Sequence, residues 1–453
     1  MVKFLITSDN HLGYNETNHI SGNDSFRTFG EILQIANNEN VDFILQGGDL
    51  FHENKPSRNT YNKTIQILRK YLFSSANKEL KTNIHAIHGN HDDPSGFNSV
   101  SPMDILHSTG LINYFGKINS LDSIKVEPIL IKVNNPIKIT IAVYGLGYLK
   151  DRRLFKLLEQ NKVKFIKQDA ADFHILMVHQ NRAFRKENYW PEEKLPEWMD
   201  LVIFGHEHLS EILTTKHFKL IQVGSSVRTS LCLDEVGEKY TYLVTIDEHK
   251  KMHIERKPLQ SVRFFKMKTF SANGYTDEKE LLNKIKEEID GLNSEKETLE
   301  ESGENLKSML PLLRLRIECE KYNFMDKFKL EKIAEGKIAN PKDFIRFLTV
   351  KKKKEQEIVK ANEVTHKANS FEEIFRDNLV KIGLNIIDGN LFIDALKIYL
   401  GKGEKDIFSS EIDKNTQNIL EKINLKEVGA ENYEDVIKRA YEAKENNEKR
   451  FKH

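Results

Sequence analysis

The chain has 453 residues, enough for two or three domains with separate cores. Its 69 Lys and Arg balance 68 Asp and Glu to a formal net charge of +1, which excludes a polycation and confines any nucleic-acid surface to a local patch. Cys232 and Cys319 are the only cysteines, so neither a disulfide framework nor a cysteine-rich zinc module is available. No apolar run approaches the length of a bilayer span, and "MVKFLITSD" meets a charge too early for a signal-peptide core. The expectation is a soluble intracellular protein in a reducing compartment.

Residues 1 to about 255 alternate short β-rich runs with helical patterns: "VKFLITSD", a helix over 25–38, "VDFILQGGD", a helix over 59–73, then "IHAIHGNHD". That rhythm predicts βαβ units and an α/β layer structure around a central sheet. Further predicted strands are "IKITIAVYGLG", "FHILMVHQ", "LVIFGHEH", "KLIQVGSS" and "YTYLVTID". From Arg263 the pattern changes to a strand "RFFKMKTF", a charged helix over 277–299, an alternating strand "LLRLRIEC" and a helix over 341–357, which together predict a smaller α+β domain. Residues 351–370, with six Lys and three Glu, read as a linker or solvated helix. Apolar periodicity returns in "LFIDALKIYLG", "SSEIDKNTQNILEKINL" and "YEDVIKRAYEAK", so the tail is predicted to be helical.

Five apolar runs end in residues suited to hard or borderline metals: Asp9 and His11, Asp49, Asn90 and His91, His179, and His206 with His208. Ligands of α/β sheets gather at the carboxyl ends of strands, so these five ends are expected to converge. Spacing of i, i+2 in extended chain would let Asp9/His11 and His206/His208 each address one site. A single histidine after a strand is usually a hydrogen-bonded structural group; five such ends in order point to chemistry. Carboxylate, imidazole and amide oxygen without thiolate suit Mn²⁺, Fe or Zn²⁺. Asp9, His11, Asp49, Asn90, His179, His206 and His208 are too many ligands for one ion with an open position, so two ions are expected, with Asp49 between them. Their charge of about +4 against about −2 from the two aspartates would leave room for hydroxide and a phosphate oxygen, so the fitting reaction is phosphate-ester hydrolysis. If Asn90 faces the metals, adjacent His91 points elsewhere, toward a leaving oxygen, as a general acid that Asp92 could orient. Alternatively, His91 is a ligand or a loop brace. His85 and His88, inside the apolar run, are read as structural.

These motifs resemble the calcineurin-like metallophosphoesterase superfamily: D-x-H at Asp9 and His11, GGD at 47–49, GNHD at 89–92, His179, and GHEH at 205–208. Within it, "HLGY", "NVDFILQGGDLFHENKPSR", "IHGNHDDPSG", "HQNR" and "GSSVRTSL" are similar to the nuclease-subunit family of the MRN/MRX double-strand-break repair complex, relatives of bacterial SbcD, over about residues 1–350. "DLFHENKPSR" resembles the eukaryotic branch and "NPKDFIRF" the end of that family's capping domain. The resemblance implies a four-layer sandwich of two sheets flanked by helices, with a smaller α+β capping domain and a helical C-terminal tail. It implies a nuclease domain over 1–258, a capping domain over 259–350, a linker over 351–384, and a segment over 385–453 that docks an SMC-like coiled-coil ATPase. It further implies two manganese ions per chain on the seven ligands, His91 as the catalytic histidine, nuclear location, a homodimer, and cleavage of duplex ends and of single-stranded or hairpin DNA. His52 stands where the family has a histidine near the phosphate; a catalytic and a structural role are both open. Tyr14, Arg182, Arg185 and Lys186, near Phe184 and Tyr189, are candidate DNA contacts, against the alternative of a solvated loop.

The family's regulatory third subunit is doubtful as a partner, because only "SSANKELKTN" at 74–83 stands where eukaryotic members carry a long insertion. Two other readings stay open. A protein phosphatase or cyclic-nucleotide phosphodiesterase could use the same motifs, though it leaves the second domain and tail unexplained. A non-catalytic DNA-end scaffold is the other, against which stands the full set of ligands.

Overall fold

The computed structural model describes residues 1–349 apart from 74–81, 96, 119, 135–137, 185–187, 274, 276–277, 300–308 and 320–325. The segments expected to be a linker and a helical tail, and most of the short 74–83 segment, therefore lie outside the described residues, as do Arg185 and Lys186.

Two six-stranded sheets lie face to face. The first has the order Met252–Pro258, Tyr240–Ile246, Val2–Thr7, Phe43–Gln46, Asn83–Ala86, Asn113–Tyr114. The second has Glu211–Thr214, Lys219–Gln222, Leu201–Gly205, Phe173–His179, Ile139–Leu146, Pro128–Val133. The strands Val2–Thr7, Phe43–Gln46, Phe173–His179 and Leu201–Gly205 pair in parallel and are almost wholly buried, which is why they read as continuous apolar runs; the edge strand Met252–Pro258 pairs antiparallel and largely alternates. Phe4, Ile6, Phe43 and Leu45 of the first sheet meet Ile141, Ile175, Met177 and Ile203 of the second in one core.

Helix Asp24–Glu39 buries Phe26, Phe29, Ile32, Leu33 and Ala36, spaced three and four apart, on the outer face of the first sheet. Helices Arg58–Leu72 and Pro102–Ser108 complete that layer. Each starts at a serine whose hydroxyl accepts a backbone N–H, Ser57 from Thr60 and Ser101 from Met103. Asp104 closes a capping box on Ser101. On the far side, Leu154, Leu157 and Leu158 of helix Asp151–Glu159 pack with Trp190 and Phe204. The result is four layers, in agreement with the architecture that the resemblance implied.

A third sheet, Phe265–Ser271, Leu312–Cys319 and Ile345–Thr349 in parallel, packs on helices Glu278–Leu299 and Lys327–Ala334 through Leu281, Ile285, Ile289, Leu313, Leu315 and Ile317. The helix expected over 341–357 is corrected here: its described part contains a strand, Ile345–Thr349. Arg316 and Ile317 pair in register with Arg346 and Phe347, and Ile345 and Phe347 pack on the domain core. Cross-strand packing of these β-branched and aromatic side chains decides for strand. Arg263 clamps this domain to the first, its guanidinium bonding Asp24 at 2.6 and 2.8 Å, Leu310 O at 2.5 Å and Ile20 O at 2.9 Å.

Candidate metal centre

Each strand end delivers its side chains to one crevice, because the loops stay hydrogen-bonded after the strands stop. Asp9 N donates to Gly48 O at 3.0 Å, His11 N to Asp49 O at 3.0 Å, and His52 N to Leu12 O at 3.1 Å. These loops are not extended. Asp9, His11, Asp49 and His206 have φ of 50°, 46°, 52° and 84°, left-handed conformations that are costly for residues with a Cβ and concentrate at functional sites. The rationale from extended i, i+2 spacing is thus overturned although the side chains converge. His206 and His208 also part company, joining different groups.

One group is Asp9, His11 and His208; the other is Asp49, His179 and His206. In the first, His11 Nε2 lies 3.3 Å from His208 Nε2, and His208 Nε2 lies 3.8 Å from Asp9 Oδ1. In the second, His179 Nε2 lies 3.3 Å from Asp49 Oδ2, and Asn90 Oδ1 lies 2.8 Å from His206 Nδ1 and 3.3 Å from His179 Nε2. Asp49 Oδ2 is also 3.9 Å from His11 Nε2, so this carboxylate reaches both groups. Asp9, His11, Asp49 and His179 form a buried floor, with Asn90, His91, His206 and His208 part-exposed above it.

The donor set fits divalent metal ions. Two carboxylates are buried among imidazoles, and among the described residues no Lys or Arg forms an ion pair with Asp9 or Asp49. Burial raises the Asp9 carboxyl above its ordinary range and lowers His11 well below its own. Burial opposes ionisation at His179 too, but Asp49 and Asp9 outweigh it and push the imidazole up to about 10. Burial likewise works to raise Asp49, but His179, with His11 and His91, holds it well below the carboxylate range. The buried pair thus calls for positive charge, which a cation would supply. In two of the histidines the second ring nitrogen is oriented as metal-binding histidines require: His179 Nδ1–H donates to Gly47 O at 2.8 Å and His208 Nδ1–H to Glu235 Oε1 at 2.8 Å.

His91 sits beside the floor with its backbone N–H on Asp49 Oδ1 at 2.8 Å and its Nδ1–H on the carbonyl of His52 at 2.7 Å. The expectation that Asp92 orients this ring is corrected. Asp92 is fully buried and accepts Gly89 N at 2.7 Å and Phe51 N at 3.2 Å, so it shapes the loop. Burial and the charge of Asp49 raise its carboxyl to about 7. His52 stacks on His91, meets His11 Nδ1 at 3.4 Å and takes the ring of Tyr14 edge-on at 4.9 Å. His11, His52 and His91 also present nitrogens close together, a third group of donor atoms beside the other two. Tyr14 is part-buried, and burial, with the charges of Glu235 and Asp343, raises its hydroxyl above the ordinary value. Arg182 is turned inward, with Nε on Gln222 at 2.8 Å and ion pairs to Glu211 and Glu192. His88 bonds the Tyr114 hydroxyl through Nδ1 at 2.8 Å, a structural contact.

Sequence reasoning missed Glu235 and Tyr148. Glu235, in a loop with no apolar period, is fully buried against His208; Tyr148 lies 5.7 Å from the His206 ring. A charged residue in a glycine-bounded loop carried no signal that it turned inward.

Fold and site together define a calcineurin-like phosphoesterase, the family description that matches residues 2–210, followed by a match to "Mre11 DNA-binding presumed domain" over 252–387. Relatives called double-strand break repair protein MRE11 are 33% identical in Encephalitozoon cuniculi, over 97% of this chain and 84% of that protein, and 32% identical in Homo sapiens, over 93% and 65%. This chain belongs to the Mre11 family of double-strand break repair proteins. It spans just under two thirds of the length of the human relative. A putative 5'-nucleotidase of Staphylococcus aureus is similar at 16% identity and TM-score 0.36, over 58% of this chain and 54% of that one.

Proposed function

We propose that this chain is a manganese-dependent DNA nuclease of double-strand break repair, cutting duplex ends and single-stranded or hairpin regions. The observation that carries the reading is the shared carboxylate of Asp49, within 4 Å of a histidine from each of two donor groups. Asp9, His11, His208 and Asp49 would hold one ion, and Asp49, Asn90, His179 and His206 the second. When bound, two such cations would supply Lewis acidity to a phosphoryl oxygen and lower the pKa of water, so that hydroxide is available as the nucleophile once the proton has passed to solvent. His91, whose Nδ1–H is held by a carbonyl, presents Nε2 to hold a proton for the leaving oxygen. His52 and Tyr14 line the approach above it. Arg182, engaged by Glu211 and Glu192, braces the rim without reaching for a phosphate.

The domain division at about residue 258, action in the nucleus, a homodimer through apolar helices of the nuclease domain, and docking of a coiled-coil ATPase by residues 385–453 complete the proposal; the relatives' names support the repair role. Titrating Mn²⁺ against cleavage of end-labelled duplex and hairpin DNA tests it. Metal-dependent cleavage is expected; DNA binding with no cleavage at any Mn²⁺ concentration would sink the reading in favour of a scaffold.

A further inference from the structure

The two candidate ligand groups differ in how their histidines are braced. His179 rests on a backbone carbonyl, Gly47 O, of the residue that follows strand Phe43–Gln46 and whose own N–H is held by Thr7 O at 2.9 Å. His208 rests on Glu235, a buried side chain carried by the loop between strands Lys219–Gln222 and Tyr240–Ile246. Every polar neighbour of that carboxylate is inside the protein. Oε1 accepts His208 Nδ1–H at 2.8 Å, Thr229 N at 3.1 Å and the Thr229 hydroxyl at 3.3 Å; Oε2 accepts Ser225 Oγ at 3.2 Å and pairs with Lys239 Nζ at 2.6 Å. The carboxylate position therefore follows the loop backbone, and something must hold that backbone.

Arg228 does so. Its guanidinium is buried and spent on main-chain carbonyls: Nη1–H donates to Glu235 O, Nη2–H to Gly237 O at 2.7 Å and Nε–H to Arg263 O at 2.8 Å. Three carbonyls from two segments fix a planar fork in a way that a lysine ammonium cannot reproduce. The third carbonyl matters most, because it belongs to Arg263. That residue's own side chain joins Asp24 of the first domain to Leu310 at the root of strand Leu312–Cys319. The Arg228 guanidinium also lies 5.8 Å over the ring of Phe265, the first residue of the smaller domain's first strand.

We infer that Arg228 is a positioning residue that ties the His208 half of the metal centre to the junction between the two domains, acting through Glu235. The inference rests on the metal-centre reading above. Its consequence is an asymmetry: disturbing the junction weakens one metal position and leaves the other, built on Asp49, His179 and Gly47, as it was. Partners that brace metal-binding histidines change metal affinity by roughly 10- to 100-fold when removed.

The test uses the full chain with Mn²⁺ alone, by calorimetry, together with nitrogen-15 spectra of labelled histidine, which report whether His208 carries its proton on Nδ1. Glu235→Gln is expected to weaken one of two Mn²⁺ affinities by about 10- to 100-fold. Arg228→Met, which touches no ligand, is expected to weaken the same affinity by about tenfold and to give a mixed His208 tautomer; Arg228→Lys should fall between it and wild type. Wild-type protein that takes up no Mn²⁺ defeats the metal reading and this inference with it. If wild type binds two ions, unchanged affinities in both Arg228 variants, or an equal fall in both affinities, overturn the inference alone. Unfolding of both variants also counts against it, because Arg228 would then be a general structural residue.

Discussion

The rings of His91 and His52 stack with centroids 4.9 Å apart and planes 21° apart, while Nδ1 of His91 donates to the carbonyl of His52. One residue thus fixes both the plane and the tautomer of its neighbour, leaving Nε2 of His91 as the atom able to exchange a proton.

Replacing that atom gives the first prediction. His91→Asn should lower DNA cleavage by roughly 10²- to 10⁴-fold, the range for a lost general acid, with Mn²⁺ affinity unchanged. Calorimetry beside a cleavage assay checks it, and loss of Mn²⁺ would make His91 a ligand.

Asp49 touches both donor groups, so Asp49→Asn should disturb both. We expect Mn²⁺ stoichiometry to fall below two and cleavage to drop by about 10³-fold or more, since several kcal/mol of charge stabilisation are lost. A variant that still binds two ions with wild-type affinity would remove Asp49 from the bridge.

Gly48 has φ of +98°, and a Cβ there would stand 2.4 Å from His179 Nδ1 and 2.9 Å from Gly89 N. Gly48→Ala combines left-handed strain of about 1–2 kcal/mol with displacement of the His179 ring. Thermal unfolding should shift down and Mn²⁺ binding weaken; a variant with wild-type values in both would show that the loop can relax.

His85 gives the pH prediction. Burial lowers its pKa to about 4, and its Nδ1 is buried without a hydrogen-bond partner. The unfolded chain takes up this proton near 6.5, so between about 6.5 and 4 the unfolded state binds more protons than the fold. The neutral ring's contribution is fully present above 6.5 and is lost as pH falls toward 4. The loss is about 2 kcal/mol after discounting for partial solvent access. His85→Leu should flatten that part of the stability curve in denaturant titrations at stepped pH; an unaltered slope would acquit His85.

Much of this architecture is legible in the sequence because the parallel strands are buried on both faces. Runs such as "FILQ" and "FHILMVH" carry their own signature, and the candidate ligands stand at their carboxyl ends, His179 as the last residue of its strand and Asp49 three residues past Gln46. The gathering of Asp9, His11, Asp49, Asn90, His179, His206 and His208 follows from strand polarity alone. What could not be read depends on contacts between distant segments. The strand at Ile345–Thr349 exists because Leu312–Cys319 offers it a register, and Glu235 turns inward because His208 and Lys239 await it. Left-handed backbone at Asp9 and Asp49 leaves no compositional trace, since neither position is glycine.

Strand Val2–Thr7 lies between Phe43–Gln46 and Tyr240–Ile246. One of its edges pairs with a segment close behind it in the chain; the other waits for a segment made some 230 residues later. At ribosomal elongation rates of 5–20 residues per second, that is a delay of roughly ten to fifty seconds with an apolar strand edge open to pairing with other chains. Asp9 and His11 spend the same interval without the loop that braces His208. A nascent chain stalled before residue 240 would therefore be an aggregation hazard with no partial nuclease to offer.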